Sequence, residues 1–133
     1  MKTRVHLALL IALGMPVGAL AQGPMNAFPT PQIQNVSNAP NPFDSRRDQT
    51  QIRYVLASNA EVHVTIYDLF GFRVQQWTFM SGSTGGREGQ NQFFWDGTNA
   101  AGQKVSKGGY IAYIEVHTDA GIVKTWRKIG VIH

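Results

Sequence analysis

Histidines, carboxylates, hydroxyls and aromatic rings are the side chains of this 133-residue sequence that could do chemistry. His63, His117 and His133 fall on two alternating segments and the C-terminus, without the short spacing that marks a metal centre. They are expected as exposed strand histidines, and no metal or other cofactor is expected. Asp96, Asn99 and the carbonyls between them offer oxygen ligands, but a dedicated Ca²⁺ site needs more carboxylates, so turn capping is expected. Neither Gly-x-Ser-x-Gly nor His-Glu-x-x-His occurs, and the Ser, His and Asp residues are too dispersed for a triad. Asp68 and Asp96 each sit in a turn sequence, which argues against a paired-carboxylate glycosidase. The reading is of a protein that is not an enzyme.

Aromatic rings leave binding open. Alternation places Trp77 out of phase with Phe72, Val74 and Gln76, so Trp77, Phe79 and Trp126 are candidate binding aromatics on faces opposite the core. Such a strip stacks on sugars or anchors a partner. The competing expectation is that both strand faces are covered and the rings are buried.

These residues need strands to position them. Ile52, Tyr54 and Leu56 share one face of a first alternating run, and Val62, Val64 and Ile66 share one face of a second. Asp68 to Gly71 is a turn that leads into a strand over 72–79. Residues 80–90 hold four glycines and two serines and are read as a mobile loop. Further strands are expected over 91–95, 110–118 and 122–132, with a brief one at Val105 and an optional edge strand over 33–37. Turn signals separate them at Asp96-Gly97, Asn99 to Gly102, Lys107 to Gly109 and Asp119 to Gly121. No sustained helical period appears after the first 21 residues. The fold class is therefore all-β: an immunoglobulin-like antiparallel β-sandwich of about seven strands, with a small closed barrel as the competing architecture.

The N-terminus points to export. Lys2 and Arg4, the apolar run Val5 to Leu13 and the small-x-small step Ala19-Leu20-Ala21 read as a signal peptide over 1–21, cleaved after Ala21. Gly14, Pro16 and Gly18 interrupt the run before it reaches membrane-spanning length, so no integral span is expected after cleavage. Residues 22–40, with four prolines among Asn, Gln and Ser, are read as a flexible lead, and 41–133 as the domain. The whole chain carries a formal charge of +4; loss of Lys2 and Arg4 leaves ten basic and eight acidic residues, or +2, too mild a balance for a nucleic-acid partner. Absence of cysteine excludes disulfides and thiol chemistry.

A set of ordered motifs sharpens this reading. Asn41-Pro42-Phe43, Thr50-x-Ile52-x-Tyr54-x-Leu56, Val64-x-Ile66-Tyr67-Asp68-x-x-Gly71, Gly89-x-Asn91, Trp95-Asp96-Gly97, Asn99-x-x-Gly102, Val105 and Gly109-Tyr110 resemble the FlgD Ig-like domain family. The resemblance covers residues 38–132 and implies a fold motif, with these residues anchoring and turning strands. The family takes its name from the flagellar hook-capping protein and also occurs at the C-termini of exported bacterial proteins. A hook-capping role is not expected beside a cleavable signal peptide. The resemblance implies a structural, assembly or protein-interaction module at the cell envelope or surface: secreted, periplasmic or surface-exposed, with a protein partner there; a twisted edge strand offers strand addition as one way to hold it. Lys124, Arg127 and Lys128 before 129–132 also look like the ending of a type IX secretion sorting domain. Deleting 124–133 is then expected to change export and spare folding. Carbohydrate binding through the aromatics is the third expectation.

Overall fold

The computed structural model describes residues 30–133. The expected signal peptide and the lead up to residue 29 lie outside them.

Alternation sorts the side chains into a core between two sheets. The strands are β1 (Ile33–Ala39), β2 (Thr50–Leu56), β3 (Glu61–Asp68), β4 (Arg73–Phe79), β5 (Gly89–Trp95), β6 (Gly108–Thr118) and β7 (Gly121–Val131). They form a three-stranded sheet, β1-β2-β5, and a four-stranded sheet, β4-β3-β6-β7, with every strand pairing antiparallel. Ile52, Tyr54 and Leu56 from β2 meet Val62, Val64 and Ile66 from β3 and Ala112, Ile114 and Val116 from β6 in one apolar cluster. This is the expected sandwich, not a closed barrel.

Five expectations change. The optional edge strand over 33–37 forms and runs on to Ala39 as β1, paired with β2 across Ile33↔Leu56 to Ala39↔Gln51, so the sandwich begins inside the segment read as lead. Its inward Ile33 and Val36 join the core. Val105 forms no strand; its N–H bonds to Gly97 O at 2.8 Å and its side chain packs against the core.

The third change concerns β4. A register shift opposite Ile66/Tyr67 inserts an extra residue, and beyond it Gln75, Trp77 and Phe79 stand opposite the inward residues Ile66, Val64 and Val62. Trp77 and Phe79 therefore turn inward, where their ring centroids lie 5.0 and 5.1 Å from that of Phe93.

The glycine-rich loop 80–88 is pinned, not mobile. Ala60 N–H bonds to Gly86 O, Gly82 N–H to the same oxygen, and Glu88 N–H to Asn59 Oδ1. Tyr54 Oη donates to Gly85 O at 2.6 Å, and Gly85, at φ +97°, lies so close to the Phe79 ring that a Cβ would come within 2.4 Å of it. Glycine is needed there for both backbone conformation and space.

The C-terminal segment is equally integral. Ile129 and Val131 are buried in the core, so removing 124–133 opens the sandwich and cannot separate export from folding.

Candidate functional site

The Asn-Pro-Phe segment closes one end of the sandwich. Asn41 Oδ1 accepts from Gly130 N at 2.8 Å while Asn41 Nδ2 donates to Lys128 O at 3.0 Å, so one side chain satisfies two backbone groups on the open side of β7. Pro42 lies against Gly130, and both peptide bonds preceding Pro40 and Pro42 are cis. Phe43 is buried, bridges to Val131, and bonds through its backbone to Gly130 O and Ile132 N–H. Its ring meets Trp95 edge to face at 5.7 Å, and Trp95 meets Tyr110 in the same manner at 5.5 Å.

Most of the remaining motif residues serve turns. Asp68 Oδ1 accepts from Phe70 N and Phe72 N at 2.9 Å each, and Gly71 takes φ +91° to complete the turn. Tyr67 points outward and meets Tyr113 edge to face at 6.3 Å. Trp95 Nε1 donates to Thr98 O at 2.8 Å, and Asp96 Oδ1 accepts from the Thr98 hydroxyl at 2.6 Å and its backbone N–H at 3.1 Å. The Thr98 hydroxyl holds the Asp96 carboxyl below its ordinary value. Gly97 packs on Ser45 closely enough that a Cβ would lie 2.6 Å from Ser45 Cβ. Asn99 Oδ1 accepts from Ala101 N and Gln103 N, closing the loop that contains Gly102. Tyr110 Oη donates to Ser106 O at 2.6 Å, the geometry of a tyrosine corner. Burial, and then the Asp68 carboxylate, push the Tyr110 phenol up. Gly109 carries Leu69 against its open face, where a Cβ would meet Leu69 Cδ1 at 3.2 Å.

Asn41, Pro42, Phe43, Asp68, Gly71, Trp95, Asp96, Gly97, Gly102, Gly109 and Tyr110 thus build strand ends and turns. The sequence pattern of the FlgD Ig-like domain matches residues 37–120, more than half of the chain. The chain belongs to the FlgD Ig-like domain family. Two solved structures share the fold of this FlgD Ig-like domain. FlgD from P. aeruginosa superposes with a TM-score of 0.56 at 19% identity, over 73% of this chain and 69% of that one. Dimeric latent PorU from Porphyromonas gingivalis superposes with a TM-score of 0.59 at 24% identity, over 72% of this chain and 9% of that one. This chain therefore corresponds to a small part of PorU. No protein with a curated description matches the sequence. No helix among the described residues is long and apolar enough to cross a membrane.

The expected aromatic strip does not assemble. Trp77 and Phe79 face the core, whereas Trp126 is 55% exposed on the outer face of the four-stranded sheet, opposite Tyr113. The sequence signal failed because the register shift in β4 reverses the alternation.

Other surface features of this FlgD Ig-like domain had no distinct sequence signal. The four-stranded sheet has two edges, β4 and β7, and they are protected differently. Val74, Trp77 and Phe79 of β4 are packed against the core, whereas residues 121–124 and 126–128 of β7 are exposed and only Thr125 is half-covered. Val123, Thr125 and Arg127 lie in register with the inward residues Val116, Ile114 and Ala112, yet none of them is buried. At the β3–β4 turn, Leu69, Phe70 and Phe72 expose 68%, 87% and 70% of their surface. Beside them Leu69, Tyr110 and Ile129 line an apolar depression of about 290 Å³. The outer face of the three-stranded sheet carries instead a polar groove of about 440 Å³ lined by Arg53, Arg87 and Gln92.

Proposed function

We propose that this FlgD Ig-like domain is an exported, non-enzymatic assembly or protein-interaction module of the bacterial cell envelope or surface, and that the β7 edge receives its partner by strand addition. The observation that carries the reading is the first half of β7, which presents an uncovered edge and leaves both faces exposed. An added strand pairs with the free backbone groups there, while Ile122, Val123 and Trp126 supply side-chain contacts. The signal-peptide pattern over 1–21 supports export.

Site-specific photo-crosslinking in the native host tests this, with the probe placed at Val123, or at Gln92 on the opposite sheet as reference. The expected result is a discrete envelope protein crosslinked from position 123 and not from 92, together with a mature N-terminus at Gln22 by mass spectrometry. A chain that starts at Met1 in the cytoplasmic fraction, or equal crosslinking from both positions, overturns the proposal.

The outer face of the same sheet supports one further reading. Trp126, Tyr113 and Tyr67 form an outward aromatic row across β7, β6 and β3, a platform on which a sugar ring can stack. Glycan-array binding that disappears in Trp126→Ala supports carbohydrate recognition; no binding to any glycan removes it.

A further inference from the structure

Beyond that aromatic row, the outer face of the four-stranded sheet gathers imidazoles and carboxylates. Glu61 and His63 are two apart on β3, and Glu115 and His117 are two apart on β6, so each pair shares one face of its strand. The register sets Glu61 opposite His117 and His63 opposite Glu115, giving a block of four ligand-type side chains. Directly opposed residues in an antiparallel pair have Cβ atoms about 5 Å apart, within reach of a common ligand.

Within this block the rings of His63 and His117 are stacked, with centroids 4.2 Å apart and an interplanar angle of 24°. His63 Nε2 lies 2.8 Å from Glu61 Oε1. One donor atom from each of Glu61, His63 and His117 lies within 4.8 Å of the others. Tetrahedral coordination with bonds near 2.0–2.1 Å places donors about 3.4 Å apart, so the three atoms meet on one ion once the stacked rings rotate toward it.

His117 Nε2 supplies an independent pointer. This nitrogen is buried and has no hydrogen-bond partner, and Glu115 Oε1, at 3.8 Å, is too distant to provide one. A buried polar atom left unpaired is unfavourable, and a metal ion bound at that nitrogen satisfies it. Glu115 stands between His63 and Lys124 in the cross-strand row and is the fourth ligand-type side chain of the block.

We propose that Glu61, His63 and His117 form a binding site for a late first-row divalent cation of the zinc class, with a further coordination position open to solvent. Two imidazoles and one carboxylate select such an ion over Ca²⁺ or Mg²⁺, which prefer all-oxygen sets. Bound there, the ion links the two central strands of the sheet through their outward side chains.

The test is a Zn²⁺ titration of the metal-free protein by calorimetry, with Co²⁺ absorption as a report on ligand geometry. One equivalent of Zn²⁺ is expected to bind and to be removed by chelator. His63→Ala and His117→Ala are each expected to weaken binding by roughly tenfold or more, since each removes one of three ligands. His133→Ala is the control and is expected to leave affinity unchanged. In the unsubstituted protein, nitrogen NMR of the imidazoles is expected to shift for His63 and His117 on Zn²⁺ addition, a readout that needs no variant to fold. Absence of any saturable binding overturns the proposal. Binding that survives both substitutions, or that perturbs only His133, overturns it equally.

Discussion

Trp95 stands where three parts of the chain meet, because its ring edge contacts Phe43 and Tyr110 while its indole N–H holds the Thr98 carbonyl. Trp95→Ala removes the largest fully buried side chain and is expected to cost about 3–5 kcal/mol in denaturant unfolding. Trp95→Phe keeps much of the packing but leaves the Thr98 carbonyl without its donor, and is expected to cost less than Trp95→Ala. Acid sensitivity belongs to this scale too. The Arg46 guanidinium bonds to Asp44 at 3.1 and 3.0 Å and holds its carboxyl down to about 2, below the ordinary 3.8. A carboxyl whose folded value is depressed stabilises the fold above its unfolded value, and that contribution is lost as pH falls through the folded one. Between pH 4 and 2 the unfolding midpoint of Asp44→Asn is therefore expected to fall less steeply than that of the parent. Equal slopes would show that the ion pair contributes nothing in this exposed setting.

Loop 80–88 shows how an element can be misread from composition. Four glycines and two serines over 80–90 indicate a segment with little to bury, and on that ground mobility is the natural expectation. The loop is ordered by groups elsewhere in the chain. Asn91 is buried and makes four bonds into it: Oδ1 accepts from Gly85 N and Arg87 N, and Nδ2 donates to Arg87 O and Gly89 O. Asn91→Ala leaves those backbone groups unpaired and is expected to cost about 2–3 kcal/mol, with cleavage at Arg87 by trypsin becoming faster than in the parent. Asn59→Ala loses a single bond, to Glu88 N, and is expected to have the smaller effect in the same proteolysis assay. Strand existence was legible because apolar residues recur at every second position in β2, β3 and β6. The inward turn of Trp77 and Phe79 was not, because a one-residue bulge in β4 exchanges the faces and leaves no mark in residue type. The clustering of Glu61, His63 and His117 was hidden for a related reason: only cross-strand register brings together residues so far apart in the chain.

At the scale of the whole molecule, the two sheets differ in width, and that difference governs both stability and surface. The three-stranded sheet covers β3 and β6 but leaves the first half of β7 without a partner layer, so that stretch of the edge is exposed on both faces. The seven-strand sandwich was legible from turn spacing and apolar alternation; its first strand was legible only as an option over 33–37, since β1 has a polar sequence with few core residues and follows a proline-rich segment. Ile33 is nevertheless buried, and Val36 packs against the core. A chain beginning at Pro31 is expected to unfold at the same denaturant midpoint as the signal-free protein. A chain beginning at Asn41 loses β1, exposes the flank of β2 and forfeits about 2 kcal/mol for Ile33 alone, before the lost strand pairing is counted. It is expected to be unfolded, or to unfold at a much lower midpoint, by circular dichroism. Equal midpoints for the two chains would make β1 an appendage to a six-stranded domain, and the three-stranded sheet could no longer be counted as the layer that sets how much of β7 stays open.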